Sequence, residues 1–207
     1  MRQVLPVIGN IDKQRTYREM LGKYKLALRE GFYFEALIID YSMIEDRFRS
    51  FLFYIGALRN RESYKFDVKE ARKNINPIVK QYSSQKTPNL GISSLNGKMQ
   101  IVKATLVWAC EVNCSGKDDG FLQILKSEYE SLDIGGLLQT IDRIEKWKDY
   151  RNEVIHALMN KNIDSLYSEL HDKVEEGMEL ARFIDEQIKI LKRKNKMRKF
   201  LGLTTKG

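Results

Sequence analysis

The stretch Leu137 to Asn160, LLQTIDRIEKWKDYRNEVIHALMN, decides how the rest of the chain is read. Leu137, Ile141, Ile144, Lys148, Arg151, Ile155 and Leu158 recur at the spacing that lines one face of a helix. Most of them are aliphatic, so the face predicts burial, and Arg151 sits on it. A buried charge is costly unless paired, so Arg151 calls for an acid to hold it. The adjacent stripe, Glu145, Asp149, Asn152 and His156, consists of groups that donate, accept or titrate. Positions five apart on a regular helix point about 140° apart. Arg151 and His156 therefore converge on one phosphate only if the helix is distorted there, or if a second subunit supplies one of them.

Working outward, the same helical periodicity recurs and no strand-like alternation persists. A chain of 207 residues, 43% hydrophobic with 3 prolines, is enough for one domain with its own core. A first helix is predicted from about Asp12 to Arg29, with Asp12 as N-cap and Gly31 ending it. A second, from about Phe32 to Leu58, carries Leu37, Tyr41, Ile44, Phe48, Phe51, Leu52 and Ile55 as the core spine. Its aromatics, Phe32 to Phe34 and Phe48 to Tyr54, fall at helical spacing, which favours core or dimer interface over base stacking. Glu45 lies beside this spine, either as a rim acid or as the partner of Arg151. Residues 60–97 form a loop-rich, mildly basic insertion (Lys65, Lys69, Arg72, Lys73, Lys80, Lys86). Within it a short helix over Asp67 to Lys73 is interrupted at Asn76-Pro77, and a loop runs from Ser83 to Gly97.

Helices then follow near Lys98 to Val112 and Phe121 to Leu132, and Gly135-Gly136 breaks the chain before the opening stretch. A last helix starts at Asp164 or Ser165 and runs to about Lys199 on Leu170, Val174, Met178, Ala181, Ile184, Ile188 and Leu191. The expected fold is all-α, a single domain over residues 1–207 forming an antiparallel bundle of about five to six helices.

The formal charge of +8 has one location. After the last acid, Glu186, come Lys189, Lys192, Arg193, Lys194, Lys196, Arg198, Lys199 and Lys206, and removing these eight from the 36 basic residues leaves 28 against 28 acids. The basic tail, residues 187–207, is suited to RNA through Lys192, Arg193, Lys194, Lys196, Arg198 and Lys199, by counterion release and without reading sequence. The alternative is a solvated helix end, where the dipole favours cations. Cys110 and Cys114 are read as plain core cysteines, and His171 as a surface histidine. The sequence has no Gly-rich phosphate loop, no Cys/His metal cluster, no secretory signal and no apolar run long enough to span a membrane, so a cytoplasmic protein is expected.

The Arg-Asn-x-x-x-His string at Arg151 to His156, late in a helical chain, resembles the signature of the HEPN superfamily (higher eukaryotes and prokaryotes nucleotide-binding domains). That signature is an arginine, a short spacer and a histidine, often with a polar residue directly after the arginine, a preference Asn152 meets. Glu45 and Asp46 on the upstream helix add to the likeness. A tyrosine that some members carry two residues after the histidine is Leu158 here, so chemistry that depends on it is not expected. The resemblance implies a HEPN-like bundle acting as a metal-independent endoribonuclease without cofactor. It further implies a homodimer and a toxin–antitoxin or phage-defence role with an antitoxin partner. Arg151, His156 and Asn152 would be catalytic, and Glu45 and Asp149 supporting.

The residues allow that chemistry on their own terms. A histidine with pKa near 6.5 can take the proton of the RNA 2′-OH or return one to the leaving 5′-oxygen. Arg151 can stabilise the charge that builds on the phosphorane. The competing reading is a non-catalytic helical RNA-binding or interaction module, in which Arg151 pairs with Glu45 and His156 is a satisfied interface histidine.

Overall fold

The apolar stripe that begins near Phe34 puts more core side chains on one helix than any neighbour, and the bundle is assembled around it. In the computed structural model, which describes residues 11–63, 65–83, 91–112, 120–157 and 164–203, that helix is α2 (Tyr33–Tyr54). It follows α1 (Ile11–Glu30) and precedes α3 (Lys69–Tyr82), α4 (Leu95–Glu111), α5 (Gly120–Tyr129), α6 (Ile134–Ala157), α7 (Asp164–Lys194) and the short α8 (Lys196–Phe200). All helical or strand structure among the described residues is helix, as the periodicity predicts, and the chain forms an all-α bundle. Leu37, Ile44, Phe51 and Leu52 of α2 share one core with Val174, Ala181, Ile184 and Ile188 of α7, all fully buried. Apart from Ala181, each such side chain contributes about 1.5–3 kcal/mol on burial. Among the described residues, no helix is long and apolar enough to cross a membrane.

The pairs α1–α2 and α6–α7 form antiparallel hairpins. Tyr17 of α1 donates to Asp46 at 2.6 Å, and Arg143 of α6 reaches Glu179 of α7 at 3.1 Å. The central pair departs from the expected antiparallel arrangement. Tyr33 meets His171, Asp40 lies against Gly177, and Arg47 pairs with Asp185, so α2 and α7 run in the same direction. Gly177 is what lets α2, α6 and α7 come together. A Cβ there would stand 2.7 Å from the Trp147 ring and 3.0 Å from Asp40.

Several local expectations are corrected. Helix α3 does not stop at Asn76-Pro77 but continues to Tyr82, so the stretch 60–97 carries a longer helix than expected. A proline inside a helix costs roughly 3 kcal/mol. Ala71, Ile75, Ile78 and Val79 form one buried stripe whose burial exceeds that cost. Residues 84–90 of the expected loop lie outside the described residues. Gly135-Gly136 forms the first turn of α6 rather than a break, because Asp133 caps it by accepting from the Gly136 N–H at 2.8 Å. Helix α4 starts earlier than predicted, with Ser94 accepting from the Gly97 N–H at 3.2 Å.

The last helix ends at Lys194, and Asn195, at φ 48°, turns the chain back into α8. Gly56, at φ 79°, ends α2 and lets α8 settle on it. A Cβ there would lie 3.0 Å from the Met197 side chain. Cys110 is exposed rather than core, because α4 turns Trp108 and Ala109 inward beside it. Cys114 lies outside the described residues.

Candidate functional site

Trp147 is 1% exposed, and its indole N–H donates to the Lys173 carbonyl at 2.7 Å, which pins α6 to α7. Val154 and Ala157 are buried about two and three turns further along. With those residues turned inward, Arg151 falls over α2. Its guanidinium carbon stands 4.4 Å from the centroid of the Tyr41 ring, and Nη1 donates to Asn152 Oδ1 at 3.1 Å. Nε is sealed from solvent with no hydrogen-bond partner. Among the described residues, no carboxylate lies within the 4.0 Å of an ion pair. Arg151 is half-buried rather than enclosed, and it is held by a ring and an amide in place of the expected acid.

Glu45 does not pair with Arg151. It accepts from Lys98 Nζ at 2.7 Å, because α4 covers that side of α2 and brings a lysine whose side chain is only 1% exposed. Burial lowers the Lys98 ammonium, and Glu45 opposes that shift. Tyr41 feels both Glu45 and Arg151. Burial raises its phenol, Glu45 raises it further, and Arg151 pulls it down. Sequence reasoning counted Tyr41 as core, yet it supplies the arginine's platform. The signal was its position one turn before Glu45 on the edge of the apolar face. Asp149 is exposed and lies 3.6 Å from Lys148.

His156 is exposed. Helix α6 is regular α-helix through Ala157, so a distorted helix does not bring Arg151 and His156 together, and they diverge by about 140°. His171 is at the surface as expected, edge-on to Tyr33 at 5.2 Å. Of the aromatics read as core or dimer interface, those at the end of α2 are core, like the first part of the α6 stripe. Leu137, Ile141 and Ile144 are enclosed in the chain's own core, and so are Phe48, Phe51, Phe53 and Tyr54. Large exposed apolar residues cluster instead at the α1–α2 hairpin. There Met20, Leu26 and Phe32 line a cleft of about 420 Å³ together with Phe34 and Ile38.

The basic tail divides. Lys192, Arg193 and Lys199 are exposed and Lys194 is half-buried. Lys196 is exposed, but Nζ donates to Ser127 Oγ at 2.7 Å and its backbone N–H to Glu128 at 2.6 Å. Arg198 corrects the expected RNA contact. It is fully buried, donating to the carbonyls of Phe53, Leu58 and Arg59 at 3.0, 2.8 and 3.1 Å. Burial, with Arg61 adding repulsion, lowers its pKa to about 10.

The tail also stands far from the motif. Lys173, beside Trp147 and Tyr150, and Arg193 are twenty residues apart on α7, or roughly 30 Å at 1.5 Å per residue. A further buried group lies near the motif. Asp40 is fully enclosed with neither carboxyl oxygen hydrogen-bonded, and burial raises its pKa well above the usual range against the pull of Arg182. Among the described residues, no group of three or more histidine, cysteine or acidic side chains is placed to hold a metal ion. Compared with protein-family models, curated proteins and solved structures, the chain has no significant match.

Proposed function

We propose that the chain is a metal-independent endoribonuclease of the HEPN type that acts as a homodimer in the cytoplasm. The observation that carries this reading is the state of Arg151. Its charge rests on Tyr41 and Asn152 with no carboxylate beside it among the described residues, on the same helix as an exposed histidine. An arginine already neutralised by an acid offers little to a phosphate, whereas this one keeps its charge and is oriented for one.

In the proposed reaction, His156 removes the proton from a ribose 2′-OH. The 2′-oxygen attacks phosphorus and the P–O5′ bond breaks. The leaving 5′-oxygen takes a proton from the second copy of His156. The products are a 2′,3′-cyclic phosphate and a 5′-OH end. Arg151 stabilises the charge gathering on the non-bridging oxygens, and Asn152 holds the guanidinium in place.

The divergence of Arg151 and His156 on one helix is the reason for the dimer. Phe34, Ile38 and Tyr41 step along one half-buried stripe of α2, so the apolar cleft at the α1–α2 hairpin adjoins the arginine's platform. A two-fold axis there brings both copies of Arg151, Asn152 and His156 to one groove. In a toxin–antitoxin or phage-defence setting, an antitoxin protein would cover that groove.

A second reading, a non-catalytic RNA-binding module, is favoured by Lys192 and Arg193, exposed on α7 roughly 30 Å from the motif, and by the exposed Lys199. Incubating RNA with the protein in EDTA separates the two. Cleavage that persists in EDTA, leaves cyclic phosphate ends and falls about 10²–10⁴-fold in His156→Ala is the expected result. RNA that is bound but never cut by the wild type would end the nuclease reading and leave the module.

A further inference from the structure

A polar cleft of about 470 Å³ opens where the C-terminal end of α3 and the outer face of α4 meet α6. Its volume lies in the range of ligand-sized pockets. Ala104 and Val107 give it an apolar wall, Tyr82 is half-buried at its edge, and Lys103, Glu111 and Glu145 stand around it. Gln100 is the unusual member. It is 7% exposed, and both its carboxamide oxygen and nitrogen are cut off from solvent with no hydrogen-bond partner. Buried polar groups are nearly always paired, so an orphaned donor and acceptor on one amide need an explanation. A bound group that offers both an acceptor and a donor provides one, and glutamine has the torsional freedom to turn its amide into the cleft.

The charges around the cleft narrow the ligand. Lys103 is already shared between Asp142 at 2.7 Å and Glu145 at 3.4 Å, and Glu111 adds a second carboxylate to the lining. A phosphate would meet repulsion there. A neutral planar group would not, and one with an exocyclic amine would find acceptors. Glutamine's amide matches the N6 amine and N7 acceptor of adenine in bidentate fashion, and Tyr82 provides a ring for stacking.

The cleft also lies on the motif's own stripe. Glu145 and His156 are eleven residues apart and within about 20° of each other around α6, so they stand roughly 16 Å apart along it. That distance is no more than about five nucleotides of a stacked strand at roughly 3.4 Å each.

We propose that this cleft is a base-recognition pocket that takes an unpaired adenine of the RNA substrate, with Gln100 reading its edge and Tyr82 stacking on it. The pocket gives the nuclease a sequence preference a few nucleotides from the cut. This inference rests on the nuclease reading for its substrate, and the test keeps the two separable.

Binding of short single-stranded oligo-A and oligo-U is measured by fluorescence anisotropy on His156→Ala protein, with and without Gln100→Met, which keeps the length of the side chain and removes the amide. Melting temperatures are taken alongside. The expected result is a preference for oligo-A that falls on the order of tenfold in Gln100→Met, with no loss of melting temperature, because the variant removes an unpaired buried amide. Tyr82→Ala weakens both oligomers. Equal binding of the two by the parent protein, or a preference untouched by Gln100→Met, overturns the proposal. If no RNA binds at all, the nuclease reading fails. Adenosine alone then decides the pocket, which survives if adenosine binds and Gln100→Met abolishes that binding, and is lost if adenosine does not bind.

Discussion

Two arginines of this chain rest on aromatic rings, and they do different work. Arg198 lies 3.5 Å from the Phe53 ring centroid, and Arg151 lies 4.4 Å from that of Tyr41. Arg198 is fully buried and donates to three backbone carbonyls at and just beyond the C-terminal end of α2, so its fork is committed to closing that end of the bundle. Around it Arg61 donates to Ser50 and Tyr54, and Arg47 meets Asp185 at 3.0 Å, off the hydrogen-bond direction, as a charge contact. Arg151 donates to one neighbouring amide and is half-exposed. Residue type and ring contact are shared. What separates the structural Arg198 from an Arg151 available to a phosphate is its burial, together with how many of its donors the protein has already used.

The comparison is easiest to break at Arg198. Arg198→Ala strands three carbonyls, at about 1–3 kcal/mol for each group that water does not reach, so a loss of about 3–5 kcal/mol in urea unfolding is expected. A loss below about 1 kcal/mol would mean that the C-terminal segment contributes little to closing α2.

Arg151→Ala should do the opposite. It removes a ring contact and one hydrogen bond, together about 1 kcal/mol of stability. Cleavage should fall about 10²–10³-fold, the usual cost of one donor to a developing oxyanion. Mixing Arg151→Ala with His156→Ala subunits sharpens the point. Partial recovery is expected if one arginine and one histidine from opposite chains suffice, whereas a protein that cuts RNA while monomeric at micromolar concentration would rule out a shared site.

The smallest effect is expected at Asp40, which is buried like Arg198 but unpartnered like the Nε of Arg151. Its folded carboxyl holds its proton above the ordinary value of 3.8, so the unfolded chain ionises first as pH rises. The stability it contributes is complete below that value and is lost as pH climbs towards the folded pKa. Asp40→Asn should therefore gain melting temperature relative to wild type at pH 7 compared with pH 4. A difference that is the same at both pH values would show that Asp40 is not protonated in the fold.

Much of the fold was legible in the sequence, because helical periodicity is a local property. The stripes of α2 and α7 mark the core, Gly31 ends α1, and His171 is at the surface. Pro77 misled because its cost is local, whereas the burial of Ile75, Ile78 and Val79 that offsets it comes from tertiary contact. Arg151 on the apolar face and Asn152 and His156 on the polar stripe beside it were readable, but the arginine's platform, and that no acid among the described residues stands beside it, were not.

What the sequence alone determined is therefore the helices, the side of each that turns inward, and the presence of one arginine and one histidine where chemistry is possible. Tertiary structure decided which charges meet. Lys98 reaches Glu45 across 53 residues, and Arg198 reaches Phe53 across 145, so no spacing rule could pair them. It decided that α2 and α7 run side by side in one direction, and that the basic tail sits roughly 30 Å from the motif at the other end of α7. The physical reason is the range of the forces involved. Backbone propensity and amphipathic spacing act within a few turns, whereas a charge is satisfied by whatever the packed neighbours present to it, and those neighbours are known only once the helices are in contact.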